Sequence, residues 1–433
     1  MDFDNVKPFR AIVLVAFGIL ALAGLYLFSQ FEGFDNGEDA VGKVEIWGTL
    51  PEETMLAQLD ALKASRPEFV NVSYVEISAA TFGAELAEAL AIAEGPDMVL
   101  ISQEQLVAER NKLSVIPYSE LSQREYLNAF VPITELYLTD QGTYGIPIAV
   151  DPLVMYYNRT LLASAGIPQP PTTWEAVLGM SERLTQYSGG QITRSLIAFG
   201  EYSNVPNARA IISLLLLQAG TPITSTVNGR LESALSKGPE VGGESAAVSA
   251  ISFYTQFSDP AKTVYSWNRS LPDARQAFLA GDLALYFGYA SELPLLLAGN
   301  PNLDLDMAPV PQPSRSTTRT TYGLAYALAI PKTSKNPTGA YMTALGLADR
   351  RIAAEGARAL SMTPASRAAL SPSPDSRYEP VFYPEALVAR GWLSPSAGTT
   401  DTIFAAMIGN ITSGRYDVGQ ALTSAEQALN SAL

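Results

Sequence analysis

The chain contains no cysteine and no histidine. Thiol and imidazole nucleophiles, imidazole bases, disulfides and zinc sites built from those groups are therefore excluded. What remains for chemistry is a set of carboxylates, amides, hydroxyls and flat aromatic faces. Rings stack on C–H faces, and carboxylates take hydroxyls in charge-assisted hydrogen bonds. Trp47 ends the strand-like run at 43–48 (KVEIWG), and the small residues Gly48 and Thr49 that follow let a ligand approach; packing under the next helix is the competing account. Ser102 and Glu104 follow a second strand-like run at 97–101, where they could take hydroxyls or cap the next helix. Tyr322 precedes Gly323 at the start of YGLAYALAI. The Tyr156–Tyr157 pair could offer phenolates to a ferric ion, but alternation along a strand sends one ring to each face. No metal and no cofactor is expected.

The elements that must position these groups begin at the N-terminus. Residues 11–28 (AIVLVAFGILALAGLYLF) carry no charge and just span a hydrocarbon core of roughly 30 Å at about 1.5 Å per residue. Lys7 and Arg10 precede this run and Glu32, Asp35, Glu38 and Asp39 follow it, which keeps the N-terminus inside. A cleavable signal peptide is the alternative, but the small-x-small site at Ala21–Ala23 lies within the apolar run instead of beyond it. The expected organisation is a cytoplasmic segment at 1–10, an uncleaved membrane anchor at 11–29 and an acidic linker at 30–42.

From there the period changes. Strand-like runs at 43–48, 70–77 and 97–101 alternate with helical spacing at 51–65 (Met55, Leu59, Leu62) and 81–93 (Phe82, Leu86, Leu90). That alternation predicts a parallel sheet flanked by helices, with ligands beyond the C-terminal strand ends. Residues 146–150 and 153–157 are two extended runs joined only by Asp151-Pro152, which suits a chain crossing between two lobes. The pattern then restarts: helical at 174–187, a strand at 195–200, an apolar helix at 207–219 and a strand at 281–287. The return is expected through 303–313, followed by a strand at 322–330. At 433 residues, with 43 acidic against 28 basic side chains and a net charge of −15, two domains fit the length, and nucleic acid is not an expected partner.

The order of these pieces, with PKTSKNPTGAYMTALGLAD at 331–349 and the Ser413-Gly414-Arg415 turn before the last helix, resembles family-1 extracellular solute-binding proteins of ABC importers, the maltose-binding-protein-like group. The resemblance implies an α/β, two-lobed periplasmic-binding-protein (Venus flytrap) fold, each lobe a mostly parallel sheet flanked by helices. Lobe 1 would be 43–150 plus 314–347, and lobe 2 would be 151–313 plus 348–433. It places Asp151 at the hinge facing the ligand, and aromatic contacts at Tyr289 (after Gly288), Trp267 (in YSWNRS) and Phe404 on a late helix. Trp47 and Tyr322 would belong to the first lobe, and Tyr289, Trp267 and Phe404 to the second.

The function so implied is non-enzymatic. A monomer held on the extracytoplasmic face closes its lobes on a sugar or oligosaccharide and delivers it to ABC permease subunits. No cysteine is present to carry a lipid anchor, so the N-terminal helix would be the attachment. Two rivals belong to other classes: a tethered ligand sensor, kept open by the anchor, and a glycoside hydrolase using two carboxylates.

Overall fold

The computed structural model describes residues 41–241 and 243–433. The expected cytoplasmic segment, the anchor at 11–29 and all but the last two residues of the linker lie outside them. Among the described residues no helix is long and apolar enough to cross a membrane.

Two hydrophobic cores organise the chain. The first is built on β1 (Val44–Gly48), α1 (Glu52–Ser65), β2 (Val72–Glu76), α2 (Phe82–Ala91), β3 (Met98–Ser102) and α3 (Gln103–Glu109). Helix α1 forms where Met55, Leu59 and Leu62 share one buried face, with Glu52 and Glu53 in its first turn and Lys63 in its last, the charge order that suits the helix dipole. Strands β1, β2 and β3 are parallel. The five residues of β3 are all buried, as expected of a strand covered on both faces.

The two runs flanking Asp151-Pro152 form a single strand, β4 (Gly145–Asn158). Its first half pairs antiparallel with the returning strand, matching Gly323 to Pro152 and Leu324 to Asp151. Its second half enters the second core, which gathers β5 (Gln191–Ile197), α4 (Ala208–Gln218), β6 (Leu283–Tyr289), β7 (Leu305–Ala308) and the two C-terminal helices, Ala397–Thr412 and Val418–Ala432. The return strand is β8 (Thr321–Ala329). One sheet therefore runs through both lobes in the order β2-β1-β3-β8-β4-β6-β5, with Gln186–Ser188 on its edge and β7 also on β4.

Three expectations are corrected. The sheet is mixed, not mostly parallel, because β8 and β6 both run antiparallel to β4; β8 carries the chain back between the lobes and so must reverse the direction of β4. Residues 303–313 do not make the return: β7 stays in the second lobe and pairs with Met155–Asn158. The lobe boundaries also move. Tyr322 belongs to the second core, while Ile352, Leu360, Met362, Ala365, Ala386 and Ala389 belong to the first. The helix Arg350–Ala359 lies on α1, where Gln58 donates to the Ile352 carbonyl and a Cβ at Gly356 would meet the Gln58 amide at 2.3 Å. Thr363 and Pro364 pair with Val150 and Ala149 of the crossover strand.

Candidate functional site

The strand ends determine where chemistry can gather. Register brings Ser102, at the end of β3, opposite Tyr326 of β8; Asp151 of β4 lies opposite Leu324, and Tyr289, at the end of β6, opposite Leu153. The seam between the lobes thus collects the start of α3, the middle of β4, the end of β6 and the first half of β8.

Glu104, in the first turn of α3, is only 4% exposed. Its Oε1 accepts from the Tyr322 hydroxyl at 2.6 Å, and its Oε2 accepts from Arg209 Nη2 at 2.8 Å. Arg209 stands in the first turn of α4, among second-core residues. Its Nη1 donates to Asp401 Oδ2 at 2.7 Å and to the Ala397 carbonyl at 2.9 Å; its buried Nε has no hydrogen-bond partner among the described residues. Tyr202 donates to the other oxygen of Asp401 at 2.5 Å. Burial pulls the Arg209 pKa down, but Glu104, with Asp401 among the further contributors, outweighs it and holds the guanidinium charged above its ordinary value. Burial, reinforced by Glu104, raises the Tyr322 and Tyr289 phenols well above their usual range, so both stay neutral donors. Tyr326 is half-buried, and its hydroxyl makes no hydrogen bond to the described residues. Burial, with Asp151 and Glu104 next, raises its pKa as well.

Asp151 is buried on the same seam, with protein partners at both oxygens: the Ser291 N–H at 3.1 Å and the Ser291 hydroxyl at 2.6 Å. It thereby holds the turn that follows Tyr289. Burial pushes its carboxyl up to about 7 against the pull of the Ser291 hydrogen bonds, and Glu292 adds to the rise.

The other expected site residues divide. Trp47 is half-buried at the end of β1 and donates from Nε1 to Glu45 at 2.9 Å. Ser102 caps α3, its N–H and hydroxyl both directed to Gln105 Oε1. Trp267 and Phe404 are corrected: both lie inside the second core. The indole N–H of Trp267 is spent on Asn204, and the Phe404 ring stacks on Trp392 at 6.1 Å. Phe404 stands in an apolar helical run, whereas Trp267 sits in the polar segment YSWNRS and is buried all the same; packing claims both rings. The structure therefore brings Glu104, Asp151, Tyr289 and Tyr322 together and adds Arg209, Tyr326, Asp401 and Tyr202, which sequence reasoning missed. One signal was present: Arg209 is the single charge in the otherwise apolar helix ARAIISLLLLQ. A hollow of about 700 Å³ elsewhere on the second lobe, lined by Ser252, Gln256, Asp259, Lys262 and Thr412 among others, is open to solvent and lacks a converging buried charge network; the seam is the better site.

Residues 51–344 match the family of bacterial extracellular solute-binding proteins. The chain belongs to that family. As a member it is a binding protein and not an enzyme. Solved structures share the fold. A cyclo/maltodextrin-binding protein complexed with maltotetraose superposes with a TM-score of 0.73 at 15% identity, over 90% of this chain and 96% of its own. The cyclic α-maltosyl-1,6-maltose binding protein of Arthrobacter globiformis gives 0.74 at 17%, over 90% and 98%. The GacH receptor of Streptomyces glaucescens, solved unliganded and with acarbose, gives 0.69 at 18%, again over 90% and 98%. A relative from Brucella abortus (strain 2308), named as a binding protein, is 38% identical over 50 residues, which is 12% of this chain and 12% of its own length.

Proposed function

We propose that this solute-binding protein takes a sugar or oligosaccharide between its lobes and delivers it to the permease of an ABC importer. The observation that carries this reading is the seam itself. Glu104, Arg209 and Asp401 form a charged hydrogen-bonding centre, bordered by the rings of Tyr289, Tyr322 and Tyr326. Carboxylate and guanidinium groups beside aromatic faces are the chemistry for hydroxyls and pyranose C–H surfaces. The solved relatives with this fold, in complex with maltotetraose and with acarbose, support the same solute class. Hinge closure about β4 and β8 would sequester the solute, since it gains contacts on both lobes only when they meet. Trp47 would extend the first-lobe wall, and Asp151 would hold the hinge-side turn that carries Tyr289. In this reading residues 11–29 anchor the chain in the cell membrane, with the binding lobes on the extracytoplasmic face and the protein acting as a monomer.

The test is a thermal-shift screen of the purified chain in detergent against sugars, oligosaccharides, polyols and peptides. A solute at a hundred times its dissociation constant adds about 2.7 kcal/mol. A rise in melting temperature confined to one sugar class, and lost in Tyr289→Ala, is expected. A rise with peptides alone would overturn the carbohydrate assignment, and no rise with any solute would overturn the transport reading in favour of a sensor.

A further inference from the structure

Both oxygens of the Glu104 carboxylate, which belongs to the first lobe, are taken by groups of the second: Arg209 Nη2 at one and the Tyr322 hydroxyl at the other. Arg209 is in turn fixed from behind by Asp401 and the Ala397 carbonyl, so it reaches the seam as a rigid fork. The lobes are therefore joined by a buried, hydrogen-bonded ion pair made of protein groups alone. A solute entering between them has to satisfy each end that it separates, because a buried charge left without a partner is strongly destabilising.

We propose that Glu104 and Arg209 form a displaceable latch between the lobes, and that this latch makes the cleft select an uncharged, polyhydroxylated solute over an acidic one. Adjacent hydroxyls meet the requirement, since a hydroxyl donates to Glu104 while its neighbour accepts from Arg209. The Nε of Arg209, which has no partner among the described residues, offers one more donor to such a solute. A carboxylate on the solute could also accept from Arg209, but it would then face Glu104 and Asp401, two carboxylates against one guanidinium. The selection half of the proposal rests on the solute-binding reading above; the latch half does not.

The absence of cysteine makes the latch measurable without a solute. Ala80, in the loop after β2, and Thr402, beside Asp401, are exposed on opposite lobes. With Ala80→Cys and Thr402→Cys carrying nitroxides in the detergent-solubilised full chain, double electron–electron resonance reads the distance between lobes. The chain with its latch intact keeps one short distance, Glu104→Gln and Arg209→Met move the distribution to longer and broader values, and Tyr322→Phe, which deletes a single hydroxyl, moves it less in the same direction. A broad distribution before any latch substitution, or an unchanged one after all three, overturns the latch. For the selection, oligogalacturonate is added to the original chain and to Glu104→Gln. A melting-temperature rise that appears only in Glu104→Gln supports it. A rise in the original chain, or none in Glu104→Gln, overturns it without touching the distance result.

Discussion

Glu104 and Arg209 lie 105 positions apart in sequence, in helices of different lobes, and meet at 2.8 Å with Tyr322 closing the other side of the carboxylate. Removing one partner of a buried ion pair costs about 3–5 kcal/mol, and because Arg209 would keep Asp401 the lower end applies here. Glu104→Ala is expected to lower stability by about 3 kcal/mol in urea unfolding. A loss below about 1 kcal/mol would mean that the pair adds little beyond a surface salt bridge.

Asp151 makes the fold sensitive to pH in a defined direction. Its carboxyl is pushed up to about 7 by burial, so between its ordinary value and about 7 the folded protein holds a proton that the unfolded chain has released. Its contribution is therefore complete in acid, falls as the pH rises through about 7, and is flat above. Three pKa units correspond to at most about 4 kcal/mol. Urea midpoints of the original chain and of Asp151→Asn, compared at pH 5 and pH 8, should differ in pH slope. Parallel slopes would refute the assignment.

Tyr326→Phe isolates a solute contact from a structural one. The hydroxyl makes no hydrogen bond to the described residues, so its loss should leave the melting temperature of the solute-free protein unchanged. With the sugar identified by the thermal screen, calorimetry should show weaker binding by about 0.5–1.5 kcal/mol, the worth of one hydrogen bond. An equal loss of stability with unchanged affinity would place the hydroxyl in the fold instead.

Phe404 and Trp267 should behave in the opposite way. Phe404→Ala is expected to cost about 3–5 kcal/mol, because its buried ring leaves a cavity against Trp392. At a temperature where the variant is folded, its solute affinity should match that of the original chain. A selective loss of affinity would return Phe404 to the cleft.

Gly48 is where close packing meets the site. A Cβ there would come within 2.7 Å of the Tyr74 hydroxyl and 3.0 Å of Leu100 Cβ, and the Tyr74 hydroxyl is held by the Leu50 carbonyl. Gly48→Ala should therefore destabilise by about 1–3 kcal/mol through overpacking. It should also shift Trp47, visible as a change in tryptophan emission.

Local pattern determined much of this protein. The helix period of 51–65, the strand at 43–48, the extended runs on either side of Asp151-Pro152 and the apolar helix at 207–219 all reappear within a few residues of their expected limits, because propensity and amphipathic spacing act over short distances. That Glu104, Tyr289 and Tyr322 stand at or beside strand ends, and Asp151 where the chain crosses between the lobes, was also legible, since strand ends and Gly neighbours mark places where a backbone opens. Tertiary structure decided the rest. Which lobe receives 348–365 depends on Gln58 meeting Ile352 across nearly three hundred residues. Whether Trp267 and Phe404 stack on a solute or on the core depends on neighbours that no local window contains. Arg209 becomes a site residue only because β4 and β8 bring the start of α4 to Glu104. Pairings of that kind come from the closure of long loops around a shared core, a global property that spacing along the chain does not encode.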